Sequence, residues 1–556
     1  MIQERLTALR KKMAAHDIAA LIIPTSDFHD TEYVSEHFMA RKHFSGFTGS
    51  AGVLVVLQDK AALWTDGRYF IQAAQELKGS GIELMKQGQP GTPTIAQYIL
   101  DNVQEGQKVA FDGRCVSMQD FETYEKQLQA KHLDIVTDLD IAGEAWENRP
   151  ALPNTRTFHY HEKYSGKEIS EKLAEVRQAM KETGAQHHVI SKIDEVAWLY
   201  NLRANDIPSF PVALAYSILG LDEGVLYIDA SRLDAASREW LTQNNIEIRP
   251  YDAIYEDVKT LEGPVLMDKG FINSRIGRAI QEPLWGEDPI QLMKAKKNPI
   301  EVEGAKEAHR KDAVAMIRFW KWLEAMMAQG QPITEISARD HLHELRALDP
   351  HFLDESFSTI SAYGANAAMA HYHPNEENPV LLQPSHLFLV DSGGHYLQGT
   401  TDITRTFVLG PLTEEERRAF TRVLQGHIDL SRAVFPKGAR GLNLDILARE
   451  WLWKEGKDFN HGTGHGVGAM LSVHEGPNGI RWRVVPERRD SCELAVGMIT
   501  SDEPGMYEEG KYGIRHENLL VVQPAFTTEY GEFLKHEPLT LVPFDVRGLD
   551  VSLMNE

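Results

Sequence analysis

The chain opens MIQERLTALRKKMAAHD, charged along one helical face, and runs at once into an apolar stretch at 18–23. That order predicts a helix followed by a buried strand. A Gly/Ser/Thr-rich turn covers 45–52, strands follow at 53–57 and 61–65, and a helix at 69–77. Short β-branched runs alternating with helical runs of this length argue for an α/β block. Pro150 and Pro153 in a polar stretch end it, which places a boundary near Pro150.

The next stretch repeats the order: a helix at 170–182, a strand at 188–190, a short run at 199–203, strands at 213–219 and 225–229, and a helix near 236–241. Trp64-Thr65-Asp66-Gly67-Arg68 in the first block matches Tyr227-Ile228-Asp229-Ala230-Ser231-Arg232 in the second. A diverged duplication is the expectation. A third block opens sharply, with Asn298 as N-cap, Pro299 at the first helical position and Glu301 completing a capping box. The helix 300–327 follows. Past Leu381 the chain is β-rich, with strands at 387–391, 402–408, 494–501 and 514–522 and helices at 414–434 and 444–455. The predicted class is α/β followed by α+β, in three domains: 1–150, 151–297 and 298–556.

Composition narrows the function. Of 556 residues, 58 are Lys or Arg and 81 are Asp or Glu, a net charge of −23. An acidic balance excludes a general nucleic-acid binder, which carries a basic face. Two distant cysteines, Cys115 and Cys492, exclude a disulfide scaffold and CxxC zinc sites and suit a reducing compartment. No run approaches the roughly 18 apolar residues of a membrane helix, and no apolar core follows the first basic residues as in a signal peptide. Cytoplasm is the expected location.

Candidate chemistry concentrates between 371 and 517. Asp391 ends an apolar strand, where a lone carboxylate is costly to bury. Asp402 lies in the next strand-like run, and Gly393, Gly394 and Gly399 let the chain turn back between them. An antiparallel pair then sets the two acids side by side, where they repel unless a cation lies between. Glu503 and Glu517 also sit in or beside apolar runs. Taken singly, each has an ordinary reading: Asp391 as a turn acceptor, Glu503 as a loop acid before Pro504, His461 and His465 as structural imidazoles. Together, four carboxylates balance two divalent ions, and His465 completes the set as a neutral ligand. Oxygen-rich ligation with one imidazole favours a hard ion such as Mn²⁺.

These segments, Asp391-Ser392-Gly393-Gly394, Thr401-Asp402, His461-Gly462-Thr463-Gly464-His465-Gly466, Asp502-Glu503-Pro504-Gly505 and Ile514-Arg515-His516-Glu517, resemble the pita-bread metallopeptidases. Phe44–Gly52, Leu63–Phe70 and Asp194–Arg203 resemble the first two domains of the three-domain aminopeptidase P group. The resemblance implies two creatinase-like α/β domains and a C-terminal pita-bread domain. It implies hydrolysis of an amino-terminal Xaa–Pro bond, so the expected partners are peptides with proline second, with no nucleic acid and no membrane.

It makes Asp391, Asp402, His465, Glu503 and Glu517 ligands of two divalent ions, Mn²⁺ first, with Co²⁺ and Zn²⁺ compatible. Glu503 also handles the proton. His371, His461 and His474 become catalytic, substrate-side histidines, with His373 a weaker choice. Tyr507 and Arg515 lie near the substrate and behind the ligands. Arg515, two residues before Glu517, is expected to share its strand face and orient a ligand carboxylate. Trp64, Trp198 and Arg68 read as structural. The family also implies a homodimer and a short helical tail that is not expected here. A prolidase, a metal-free creatinase-like enzyme and a non-catalytic binding module are the alternatives; the extra domain argues against the first and the complete ligand set against the others.

Overall fold

A computed structural model describes residues 2–486 and 488–554. The chain divides into two compact units, one of Met1–His159, Glu168–Pro208 and Val212–Ile290, the other of Tyr160–Lys167, Ser209–Pro211 and Gln291–Glu556.

The first unit holds two six-stranded sheets. One runs Ile82–Lys86, Ala61–Thr65, Val53–Leu57, Ile18–Pro24, Lys108–Ala110, Asp134–Val136. The other runs Ile246–Arg249, Gly224–Tyr227, Tyr216–Gly220, His187–Ile190, Val265–Met267, Pro283–Trp285. Neighbours succeed each other as parallel, antiparallel, antiparallel, parallel, parallel in both sheets. Identical order and polarity in two mixed sheets is the architecture a duplication produces. The matched segments leave matched strands: Asp66 accepts from the Arg68 N–H at 3.1 Å and Asp229 from the Ser231 N–H at 2.9 Å. Leu6, Leu9 and Met13 pack the first helix, Ile2–Ala15, onto Leu21, Leu54, Val56 and Leu63. Trp64 is buried with its indole N–H on the Pro93 carbonyl, and the Lys172 ammonium lies 4.4 Å from the buried Trp198 ring. Arg68 clasps Asp66 with two bonds of 2.8 Å.

The second unit begins with the predicted capped helix, Pro299–Ala328: Asn298 Oδ1 accepts from the N–H groups of Ile300 and Glu301, and Glu301 Oε2 accepts from that of Asn298. Met316, Phe319 and Leu323 press its inner face onto Phe388, Val390, Ile403 and Phe407. Each such side chain contributes about 1.5–3 kcal/mol on burial. Those partners lie on a three-stranded antiparallel sheet, Ile360–Tyr363, Leu387–Ser392, Ile403–Val408. A four-stranded sheet, Val434–Pro436, Gly531–Pro538, Asn518–Thr528, Ile499–Asp502, supplies the other wall, with helices Glu414–Ser431 and Gly441–Trp453.

Three expected strands change. The run 213–219 becomes Tyr216–Gly220. The run 494–501 begins only at Ile499, because Ala495–Met498 turns through Gly497 at φ +87°. The run 514–522 divides into Tyr512–Arg515 and Asn518–Thr528, leaving His516 and Glu517 between strands.

Candidate metal centre

Register places the first two acids. Asp391 pairs directly with Thr404 across the antiparallel ladder, and Asp402 lies two residues before Thr404. Period-two alternation puts all three on one face. His465 comes from the two-residue strand Gly464–His465, which passes so close to its neighbour that a Cβ on Gly464 would stand 1.8 Å from the Ser501 carbonyl oxygen. Glu503 follows the strand Ile499–Asp502, and its N–H donates to the Thr463 carbonyl at 2.8 Å. Glu517 enters from the strand break.

Donor atoms of Asp402, His465 and Glu517 all lie within 4.8 Å of one another. His465 Nε2 stands 3.5 Å from Asp402 Oδ2 and 3.3 Å from Glu503 Oε1. His465 Nδ1 faces the Gly466 carbonyl at 3.1 Å, so it carries the proton and leaves Nε2 for the centre. Asp391 accepts from Arg515 Nη2, and Glu517 from Thr404 Oγ1 at 2.6 Å.

The electrostatics call for cations. Burial, with Asp402, Asp391 and Glu503 nearby, drives Glu517 well above the carboxylate range. Burial raises Asp391, against the pull of Arg515, and lifts Glu503 to about 7 despite His465. His465 is raised too, but toward its charged form: burial opposes the charge, yet Asp402 and Glu503 carry it up to about 9. Protons are held where a cation would serve. Asp391 Oδ1 and Asp402 Oδ1 are buried with no hydrogen-bond partner among the described residues. An orphaned carboxylate oxygen on each of two neighbouring acids, with three further oxygen or imidazole donors, fits a divalent-ion centre.

Around it, Arg515 donates from Nη1 to Tyr507 Oη at 2.7 Å, and Tyr507 meets His461 Nε2 at 2.7 Å. His461 Nδ1 lies 2.8 Å from the Gly462 carbonyl, so Nε2 accepts from the tyrosine hydroxyl. Burial, helped by Arg515, lowers His461 to about 3, and its ring is neutral. The His474 ring stands edge-on to His465 with centroids 4.4 Å apart. His371 is half-buried and His373 exposed; the carbonyl of Ala370, just before His371, accepts from Arg515 Nη2 at 3.4 Å. Arg515 reaches one of the candidate ligand carboxylates, Asp391, across 124 positions.

Sequence reasoning missed the supports. Ser501 Oγ accepts from the His465 N–H at 2.9 Å and donates to Glu503 Oε1 at 3.1 Å. On helix Gly441–Trp453, Asp445 and Arg449 are fully buried and paired at 2.7 Å. Asp445 accepts from Thr463 Oγ1 at 2.6 Å, and Arg449 donates to the His461 carbonyl at 2.9 Å, so one helix holds both ends of the His461–Thr463 turn. Their i, i+4 spacing among Leu444, Ala448 and Leu452 is a readable signal of a buried pair. Lys294 and Lys297, both buried, close on Glu475 at 3.1 and 2.6 Å beside His474.

Comparison with known proteins agrees with this construction. Metallopeptidase family M24 matches residues 303–524, and the creatinase/prolidase N-terminal domain matches twice, at 5–140 and 148–301. Aminopeptidase P2 of Arabidopsis thaliana is 39% identical, covering 100% of this chain and 84% of its own length. A probable Xaa-Pro aminopeptidase P of Laccaria bicolor is 40% identical, covering 100% and 87%. The crystal structure of X-prolyl aminopeptidase from Caenorhabditis elegans, described as a cytosolic enzyme with a di-nuclear active site, superposes with a TM-score of 0.94 at 35% identity, covering 100% of this chain and 93% of that one. Prolidase from Pyrococcus furiosus, at 23% identity and a TM-score of 0.52, shares the fold over 66% of this chain. With whole-length relatives of this kind on one side and a buried cluster of acids and an imidazole on the other, the chain belongs to the aminopeptidase P group of the M24 metallopeptidases.

Proposed function

We propose that the protein removes the first residue from peptides whose second residue is proline. Proline turns the scissile bond into a tertiary amide without an N–H, so hydrolysis needs strong carbonyl polarisation and a proton delivered to the prolyl nitrogen. Asp391, Asp402, His465, Glu503 and Glu517 are the residues that hold two divalent ions, Mn²⁺ in our reading. Bound there, such ions polarise the scissile carbonyl and make a water nucleophilic at neutral pH.

The chain's own residues do the rest. Glu503 takes the proton of the attacking water and passes it to the leaving nitrogen. His461, neutral and held at both ring nitrogens by the Gly462 carbonyl and Tyr507, lines the substrate side, with His371 and His474 completing it. Arg515 orients Asp391. The observation that carries this reading is the pair of orphaned oxygens on Asp391 and Asp402, the second in a cluster with His465 and Glu517. The division 1–150, 151–297 and 298–556, a cytosolic location and a homodimer belong to the same reading. No helix among the described residues is long and apolar enough to cross a membrane.

The test is incubation with an Arg-Pro-Pro-type peptide and an Ala-Pro dipeptide, with Mn²⁺ or EDTA, read by mass spectrometry. Release of the first residue from the longer peptide, abolished by EDTA and by Glu503→Ala, is expected. Cleavage of the dipeptide alone would identify a prolidase instead.

A further inference from the structure

The segment that carries His371 is fastened from behind by a carboxylate remote from the metal centre. Glu335 opens the helix Glu335–Arg346 and is fully buried. A first-turn acid of this kind ordinarily lies in solvent, complementing the helix dipole. Here Oε1 accepts from the Tyr363 N–H at 2.6 Å and from Asn366 Nδ2 at 3.0 Å, while Oε2 accepts from Tyr372 Oη at 2.8 Å. Asn366 Nδ2 also donates to Tyr372 Oη at 3.0 Å. The Tyr372 ring packs against Ile360, Ala362, Ala367 and Leu389, and Leu389 lies on the strand face of Asp391. From the front, Arg515 holds the Ala370 carbonyl, and Gly513 admits the Ala367 carbonyl to where a Cβ would stand 1.8 Å away. His371 therefore sits between a residue tied to the centre through Arg515 and a residue tied to Glu335.

We propose that Glu335 and Tyr372 are positioning residues, whose carboxylate–hydroxyl link holds His371 at the substrate side of the metal centre. The inference rests on the aminopeptidase reading above. Neither side chain reaches the reacting atoms; both act through the backbone of 364–372. Removing the link leaves His371 present but less well placed, and a displacement near 1 Å at a catalytic group costs up to about 10²-fold in rate.

Three variants separate this role from plain stabilisation. Tyr372→Phe deletes one hydroxyl and keeps the ring. Glu335→Gln keeps an acceptor for Tyr363 and Asn366 and presents an amide N–H to Tyr372 Oη, so the link survives with its donor reversed. Glu335→Ala removes it altogether. With metal content and Tm measured alongside, Tyr372→Phe is expected to lower kcat by about 10- to 100-fold with KM within about threefold, and Glu335→Gln to stay within about threefold of wild type. Hydrogen–deuterium exchange is the second readout and needs no activity: peptides covering 364–376 should exchange faster in Tyr372→Phe and Glu335→Ala, with exchange at the His465 turn unchanged. Wild-type kcat in Tyr372→Phe, or unaltered exchange over 364–376, overturns the proposal. If the unmodified protein cleaves no Xaa–Pro peptide, the aminopeptidase reading falls, and exchange alone decides whether Glu335 orders the segment.

Discussion

Arg515 is where replacement by another cation should be most revealing. Its guanidinium touches four oxygens: Asp391 Oδ2, Tyr507 Oη at 2.7 Å, Thr404 Oγ1 at 3.3 Å and the Ala370 carbonyl at 3.4 Å. Two roles are combined in it. As a charge it compensates a buried carboxylate; as a fork it spaces Asp391, Tyr507 and the His371 segment. Arg515→Lys retains the first role and loses the second, because an ammonium is a point donor on a flexible stem. Arg515→Met loses both. Breaking a buried ion pair by deleting one partner costs about 3–5 kcal/mol, although bound divalent ions compensate part of the charge left on Asp391. Losing a support behind a ligand typically costs about 10- to 100-fold in metal affinity or activity, or about 1.4–2.7 kcal/mol.

The two effects can be read separately. Metal affinity comes from Mn²⁺ titration of EDTA-stripped protein, and turnover from release of the first residue of an Xaa-Pro-Pro peptide at saturating Mn²⁺. For Arg515→Lys we expect affinity within about tenfold of wild type and kcat lower by about 100-fold, since Tyr507 and, through it, His461 lose their anchor. For Arg515→Met both fall. If Arg515→Lys keeps kcat within about twofold while Arg515→Met loses it, charge alone matters and the reasoning from fork geometry is refuted.

Glu503→Gln should lower kcat by about 10²- to 10⁴-fold, the usual share of a general acid–base group, in stopped assays at saturating Mn²⁺. His461 is held near 3 by burial and Arg515, so it is neutral across the working range; His461→Asn should lower kcat by a similar factor at every pH, and loss of the acid limb of the pH–rate profile would contradict this. His188 and Asp288 form a buried pair at 3.0 Å. Burial opposes both charges, yet each partner overcomes it for the other, raising His188 and lowering Asp288. The raised histidine contributes fully below its unfolded value near 6.5 and less as pH climbs through the folded one. The Tm gap between wild type and Asp288→Asn should therefore be widest below about pH 6.5 and shrink as pH rises above it. Gly464→Ala forces a Cβ to within 1.8 Å of the Ser501 carbonyl; we expect soluble protein with strongly reduced Mn²⁺ content by metal analysis.

What could be read from the chain depended on whether a charge was out of place in its local pattern. Asp391 stands at the end of a strand whose other residues are apolar, so its carboxylate had no solvated face to occupy, and the metal reading followed. Lys294, Lys297 and Glu335 gave no such signal. Each lies on or beside an amphipathic helix, where charged positions normally face water. Their burial depends on partners far along the chain: Glu475 is 178 positions from Lys297, and Tyr372 is 37 from Glu335. Asp445 and Arg449 lie between these cases, since an acid and a base four apart on an apolar helical face already pair with each other.

The break at His516 and Glu517 shows the same limit from the side of the backbone. Four polar residues, Arg515-His516-Glu517-Asn518, interrupt the apolar run, but nothing local fixes where the strand breaks. The cause is Arg405, fully buried on the neighbouring strand Ile403–Val408. Its Nη1 donates to the Glu517 carbonyl at 2.6 Å and its Nη2 to Asn518 Oδ1 at 2.8 Å. A guanidinium thus takes the acceptor that a ladder partner would have used, and the Glu517 N–H turns to the Thr404 carbonyl at 3.3 Å. The Glu517 side chain nonetheless reaches Thr404 Oγ1, the hydroxyl that Arg515 Nε also meets, so the two residues keep one face across the break. The two-residue spacing therefore still sets Arg515 and Glu517 on one side of the centre, with the guanidinium paired to Asp391 and the Glu517 carboxylate held by Thr404.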